Sequence, residues 1–348
     1  MKIIRNAAVL ALFALSLTFT ACSDKTEPKT KTYYEYFDTV TTVSSYADES
    51  AERFEENASA VEECLKKYHR LFDIYYEYSD TNNLKTVNDN AGISPVKVDR
   101  ALIDFLLYAK EMHTKTEGEM NVAMGAVLKL WHEQRELASS NPEGAALPAS
   151  DALADAANHI FPDSIIIDEV ASTVYISDKD TSLDVGALGK GYAASRAVSL
   201  LKDRGAESYV LNLGGNICAI GEKPDGSGWL TGITNPKKDS DNSFAVKLML
   251  SNTSCVTSGD YERYYTVGGK NYHHIIDKDT LYPSEYFSSV TVINPDSAIA
   301  DALSTALFYM SYEEGIELIE SFKNTEVLWI YQNGRMKMTE GMKNLITE

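Results

Sequence analysis

Apolar positions along this chain keep different rhythms, and each rhythm predicts a different element. Between residues 50 and 75, Phe54, Val61, Leu65, Tyr68, Leu71 and Phe72 recur at helical spacing; between 99 and 114, Leu102, Phe105, Leu106 and Ala109 share one helical face. Segments 31–45, 164–168, 173–176, 209–213, 217–221, 229–234 and 244–250 read as strands, with Gly214-Gly215 and Pro224-Asp225-Gly226 as turns. Residues 80–90, rich in Asn and Asp, read as loop, and 141–149 as an exposed excursion. The segment 118–132 closes on Trp131, and the chain ends in helices at 297–310 and 312–322 followed by a strand at 326–331. Strands interrupted by helices, joined by hairpins as well as crossovers, predict an α+β fold around a mixed sheet.

One apolar run has no period at all. Residues 7–19 form a predominantly apolar run behind Lys2 and Arg5, too short for a stable membrane span. It ends in Ala21-Cys22, which resembles a bacterial lipobox, so residues 1–21 are expected to be a signal peptide and Cys22 the lipidated first residue of the mature chain. The polar stretch 23–32 lacks periodicity; with Cys22 it is expected to form a lipid-anchored flexible tether, and 33–348 the folded body. The expected location is the extracytoplasmic face of a bacterial cell membrane.

Charge narrows the partners. The full chain carries −19, and without Lys2 and Arg5 its 30 basic residues face 51 acidic ones, leaving −21. Such a surface repels nucleic acid, and a phosphate ligand as well unless a local cation receives it. Cys64, Cys218 and Cys255 remain once Cys22 is set aside, an odd number without CxxC spacing, which argues against a disulfide framework or a zinc site.

Three segments carry candidate chemistry. The first, DVGALGKGYA at 184–193, fails the G-x4-G-K-[ST] phosphate-loop pattern and lacks G-x-G-x-x-G. It still places a small-residue turn and Lys190 ahead of a helix, where backbone N–H groups favour an anion. In the second, NPDSAIADALSTALF at 294–308, Asp301 and Thr305 lie one turn apart on the same helical face, with Ser304 adjacent. A carboxylate and hydroxyls so placed suit a hard divalent ion such as Mg²⁺. The third, SGDYERYYTVGGKNYHHIIDKDTLYP at 258–283, carries His273 and His274 on a strand-like segment, so only one of them can enter a given pocket, as a proton acceptor. His69, His113, His132 and His159 read as structural or surface residues. Taken singly, each segment also admits a plainer reading: a tight-packing turn, a threonine bonded back to its own helix, a surface aspartate.

Together these segments resemble the ApbE family in order and spacing: Asp184 to Ala193, Leu213-Gly214-Gly215-Asn216, Ser258-Gly259…Tyr261-Glu262-Arg263, His274-Ile275-Ile276-Asp277 and Asp301-Ala302-Leu303-Ser304-Thr305-Ala306. Upstream, Phe37-Asp38-Thr39, Tyr78…Leu84…Asn88 and Thr116-Glu117-Gly118-Glu119-Met120-Asn121…Leu128…Leu130-Trp131 extend the resemblance over about residues 33–331. Members are FAD:protein FMN transferases acting on exported bacterial proteins, and the implied fold has two packed lobes with the active site between them. The resemblance implies Mg²⁺ held by Asp301, Thr305 and the Ala187 carbonyl, with Ser304 nearby. It implies FAD contacts from Phe37, Tyr78, Glu119, Met120, Asn121, Asp184, Lys190 and Ile275. It also implies that His274 takes the proton of an acceptor Thr or Ser hydroxyl while AMP leaves. Alternatives within reach of the same residues are FAD hydrolysis to FMN and AMP, or flavin binding without catalysis. The sequence departs from the family pattern where Asp-Pro-x-Thr-Gly-x-Pro becomes Asp277-Lys278-Asp279-Thr280-Leu281-Tyr282-Pro283, where Gly-Ala-Phe-Asp becomes Gly118-Glu119-Met120-Asn121, and where Met-Gly-Thr becomes Phe37-Asp38-Thr39. Leu281 is expected to resist the positive φ that glycine takes at its position.

Overall fold

The computed structural model describes residues 28–237 and 242–347. Cys22, the apolar leader and the first part of the tether lie outside the described residues. The centre is an eight-stranded sheet whose strands lie side by side in chain order. They are β1 (Lys29–Tyr33), β2 (Thr41–Ser45), β3 (Tyr209–Leu213), β4 (Asn216–Ile220), β5 (Ser254–Gly259), β6 (Ser289–Asn294), β7 (Glu326–Ile330) and β8 (Met336–Met338). Every ladder between them runs antiparallel. The fold is therefore α+β as expected, but its crossovers return chains to antiparallel neighbours rather than building a mixed sheet.

The inserts between strands cover both faces of this sheet. Between β2 and β3 come α1 (Ala51–Phe72), α2 (Leu84–Asp89), α3 (Arg100–Lys115), α4 (Gly125–Ser140), α5 (Ser150–Ala156) and α6 (Gly189–Asp203). Between β6 and β7 comes α7 (Ser297–Tyr309). On the helical side Leu211, Val290, Val292 and Trp329 pack into one core with Leu65, Ala194 and Phe308. On the other side Ala219, Cys255, Ile293, Leu328 and Ile330 meet Trp229, Ile233, Leu248 and Leu250, which come from a smaller sheet. Side chains alternate across a strand, so β6, covered on both faces, is buried at all its positions, its polar Ser289, Thr291 and Asn294 included.

Local chemistry explains where elements differ from the sequence expectation. The stretch 31–45 is a hairpin, because Phe37 and Asp38 adopt left-handed φ of 57° and 51° and turn the chain between β1 and β2. The first strand starts at Lys29, inside the stretch read as tether. Within 80–90, Asn83 and Thr86 form a reciprocal capping box that starts a short helix at Leu84. Residues 118–124 precede α4, which begins only at Gly125. Leu281 does take the strained conformation, with φ 63°, held by its own N–H donating to Asp277 O at 2.9 Å and by Trp131 Nε1–H donating to its carbonyl at 2.9 Å.

Two helices meet unusually closely. A Cβ built on Gly191 in α6 would lie 2.2 Å from Asp301 Cβ and 2.5 Å from the Ser297 carbonyl oxygen, both in α7. Glycine costs helix stability relative to alanine, about 1 kcal/mol, yet only glycine permits this crossing. Gly191→Ala should therefore destabilise the protein by about 1–3 kcal/mol, because overpacking outweighs the propensity gain. Guanidinium unfolding would report it as a lower midpoint; an unchanged or raised midpoint would mean that the two helices can part without cost.

Candidate active site

Asp296 caps α7 by accepting the Ala298 N–H at 2.9 Å, which sets Asp301 one turn further on, facing α6. Asp301 is only 5% exposed, and its Oδ2 accepts the Gly191 N–H at 2.6 Å. Burial pushes its carboxyl above the usual range, against the opposing pull of the Lys190 charge and the Gly191 N–H. Lys190 itself makes no hydrogen bond or ion pair among the described residues. Ser304 Oγ donates to the Asp301 carbonyl at 3.0 Å and lies 2.8 Å from Ser258 Oγ, which is 3.3 Å from Thr305 Oγ1. One carboxylate and three hydroxyls, all oxygen and all on rigid elements, form a donor set that fits a hard divalent cation such as Mg²⁺.

Beside this set, Glu119, Met120, Asn121, Asp184, Ala187 and Tyr309 line a small cavity of about 30 Å³. The Met120 carbonyl faces His113 Nδ1 at 2.8 Å, Asn121 Nδ2–H donates to Ile160 O at 2.8 Å, and Asp184 N–H donates to Val122 O at 2.9 Å. Asp184 Oδ1 accepts the Gly186 N–H at 2.8 Å, which shapes the turn carrying Ala187. Burial raises the Asp184 carboxyl, opposed by that N–H and by the nearby His132 and Arg135. Glu119, likewise raised by burial, pairs with Lys278 Nζ at 3.3 Å.

The paired histidines divide as strand geometry requires. His273 is buried; its Nε2–H donates to Ser284 O at 2.8 Å, and its Nδ1 accepts the Ile275 N–H at 3.2 Å, so both nitrogens are used internally. His274 Nδ1 lies 3.2 Å from the Arg263 carbonyl, which accepts only if Nδ1 carries the proton; Nε2 is then left as an acceptor. Burial, then the charge of Arg263, hold the His274 imidazole down to about 3. It is a neutral base at ordinary pH.

The ApbE family model matches residues 37–329. The chain belongs to the ApbE family. An FAD:protein FMN transferase of Klebsiella pneumoniae is 31% identical over 277 residues, covering 79% of this chain and 82% of that protein. One of Treponema pallidum is 33% identical over 277 residues, covering 76% and 74%. Among solved structures, the ApbE protein of Thermotoga maritima matches with a TM-score of 0.79 at 27% identity, over 92% of this chain and all of that one. The Pseudomonas stutzeri flavinyl transferase ApbE shares the fold, with a TM-score of 0.72 at 22% identity and coverage of 92% and 98%.

Against the ApbE pattern, the structure gathers Glu119, Met120, Asn121, Asp184 and Ala187 around one cavity and sets Lys190, Asp301, Ser304 and Thr305 together at the α6–α7 crossing. Three other residues do not line that cavity. Phe37 sits in the β1–β2 turn with its N–H donating to His69 Nδ1 at 3.3 Å; Tyr78 donates its hydroxyl to Asp73 Oδ2 at 2.9 Å; Ile275 is in the core. Ser258, which the sequence reading passed over as a ligand, is carried into the oxygen set by β5; its place next to Gly259 in the third segment is the only signal of it. His69 meets the Phe37 N–H, His113 meets the Met120 carbonyl, and His132 lies near enough to Asp184 to act on its carboxyl. His159 hydrogen-bonds Asp178 at 2.7 Å and stands within metal-binding spacing of Asp178 and Asp180, but it belongs to a separate cluster.

The two histidine environments predict opposite titrations. His274, held down to about 3, should keep its imidazole resonances unmoved between pH 8 and pH 5. His159, raised from its ordinary value by the Asp178 hydrogen bond, should titrate above 6.5. A His274 midpoint near 6.5 in an NMR titration would contradict its burial beside Arg263.

Proposed function

We propose that this chain transfers FMN from FAD to a Thr or Ser hydroxyl of an exported acceptor protein, releasing AMP, with Mg²⁺ bound and with Cys22 lipidated on the extracytoplasmic face of a bacterial membrane. The observation that carries this reading is the oxygen set of the buried Asp301, Ser304 and Thr305 with the half-buried Ser258, placed beside Lys190 and the Asp184–Ala187 turn. The names of the relatives, FAD:protein FMN transferase, support the same reading. Asp301 and Thr305, with Ser304 and the Ala187 carbonyl, would hold the Mg²⁺. When bound, that ion supplies a Lewis acid that neutralises the diphosphate.

The remaining work falls to the chain itself. Lys190 brings a positive charge to a body that otherwise repels phosphate. His274, with Nδ1–H directed to the Arg263 carbonyl, offers Nε2 to the incoming hydroxyl. The hydroxyl proton passes to Nε2, its oxygen bonds to the FMN phosphorus, and the bond from that phosphorus to the bridging oxygen breaks. The electron pair leaves with AMP. A base held at a low value is weak, so its contribution lies in position and in always being unprotonated.

The test is incubation of the mature chain with FAD, Mg²⁺ and an exported acceptor protein. Fluorescent flavin bound covalently to the acceptor is expected, and Asp301→Asn should lower its formation about 100-fold or more, as metal-ligand loss does. Free FMN formed equally with and without acceptor would replace transfer by hydrolysis; FAD bound but unchanged would leave only a binding protein. Cys22→Ser should move the chain from the membrane fraction to the soluble one, and a variant that stays membrane-bound would refute the anchor.

A further inference from the structure

A flavin cannot occupy the cavity at its present size. Ligand pockets span roughly 300–1,000 Å³, whereas about 30 Å³ holds little more than one water. The walls must part, and the question is what holds them together. The Glu119–Asn121 wall is anchored by Thr116 Oγ1, which accepts the Met120 N–H at 3.0 Å, and by the His113 and Ile160 contacts. Glu119 also makes one ion pair among the described residues, to Lys278 on the 277–283 turn. That turn is braced by its own bonds: Asp277 Oδ1 accepts the N–H groups of Asp279 at 2.7 Å and Thr280 at 3.1 Å.

We propose that the Glu119–Lys278 ion pair is a strap across the mouth of this cavity, and that it controls how fast the flavin goes in and comes out. The proposal rests on the flavin reading of the site given above. The pair is suited to the task by its surroundings. Its side chains are 18% and 22% exposed, so the attraction is only partly screened. Lys278 already holds a second carboxylate, Asp279 Oδ2 at 2.7 Å, whose side chain is 76% exposed. Lys278 can therefore swing outward and keep one partner. That movement frees Glu119 without stranding an ammonium group. Glu119 and Lys278 are also two positions where the sequence departs from the family pattern, and the structure places these departures face to face.

The test is a double-mutant cycle on the binding rate. Flavin fluorescence on mixing with FAD and Mg²⁺ is followed by stopped flow for the wild type, Glu119→Gln, Lys278→Met and the double variant. Each single change should speed both uptake and release about two- to tenfold, the range expected for a partly screened ion pair. The double variant should be no faster than either single one, because one interaction is removed in all three. Raising NaCl from about 0.05 to about 0.5 M should speed the wild type more than the variants, in which only the repulsion between the acidic body and the flavin diphosphate is left to screen. Melting curves show whether each variant is folded, and the two single variants test the strap independently. Equal rates in wild type and singles, or additive gains, would overturn the strap while leaving transfer intact. A wild type that binds no flavin at all would overturn both the strap and the functional reading.

Discussion

Everything at this site depends on how closely α6 and α7 approach. At Gly191 a backbone N–H, with no side chain in the way, reaches the carboxylate of Asp301. That contact satisfies one carboxylate oxygen, fixes the face of α7 that carries Ser304 and Thr305, and brings the start of α6, with Lys190, over the same group. A carboxylate this buried would ordinarily be an expensive defect; here the Gly191 N–H and a nearby ammonium partly compensate it. The sheet's role is to hold the two helices against each other: β5 supplies Ser258, and β6 leads directly into α7.

A common electrostatic pattern runs through the site. Asp301, Asp184 and Glu119 are each driven upward by burial and opposed by few positive groups: Lys190 for the first, Arg135 for the second, Lys278 for the third. In a chain of net charge −19 these few cations are set where an anionic ligand would need them. His274 fits the same logic from the other side, kept neutral by burial and then by the charge of Arg263, so that it can only accept a proton.

Much of this was legible in the chain, for identifiable reasons. The 50–75 helix shows in the sequence because it must bury a defined face, and burial imposes period; the Asp301 helix, buried almost all round, shows instead as a run of small and apolar residues behind its Asp296 cap. The pairing of Asp301 with Thr305 follows from helical geometry alone. Other features had no such signal. Phe37 and Asp38 in left-handed backbone contradict their propensities, and the His69 contact that holds Phe37 comes from a helix far along the chain. The antiparallel sense of the sheet depends on where distant strands return, which no local pattern records. The α2 helix was hidden by an Asn-rich composition that is itself its cap, at Asn83. The Glu119–Lys278 pair was visible only as two unrelated departures until the fold put them together.

The chain-order sheet has a consequence for how the protein is made. Synthesis delivers the β1–β2 hairpin first, but the strand that completes its inner edge, Tyr209–Leu213, follows Ser45 only about 160 residues later. Closing so long an excursion costs little more than closing a short one, since the entropy grows only with the logarithm of length. The delay is the larger burden. Until β3 emerges, Thr41–Ser45 presents an unpaired strand edge, so the nascent chain depends on early folding of its helical insert, or on a chaperone, to shield that edge.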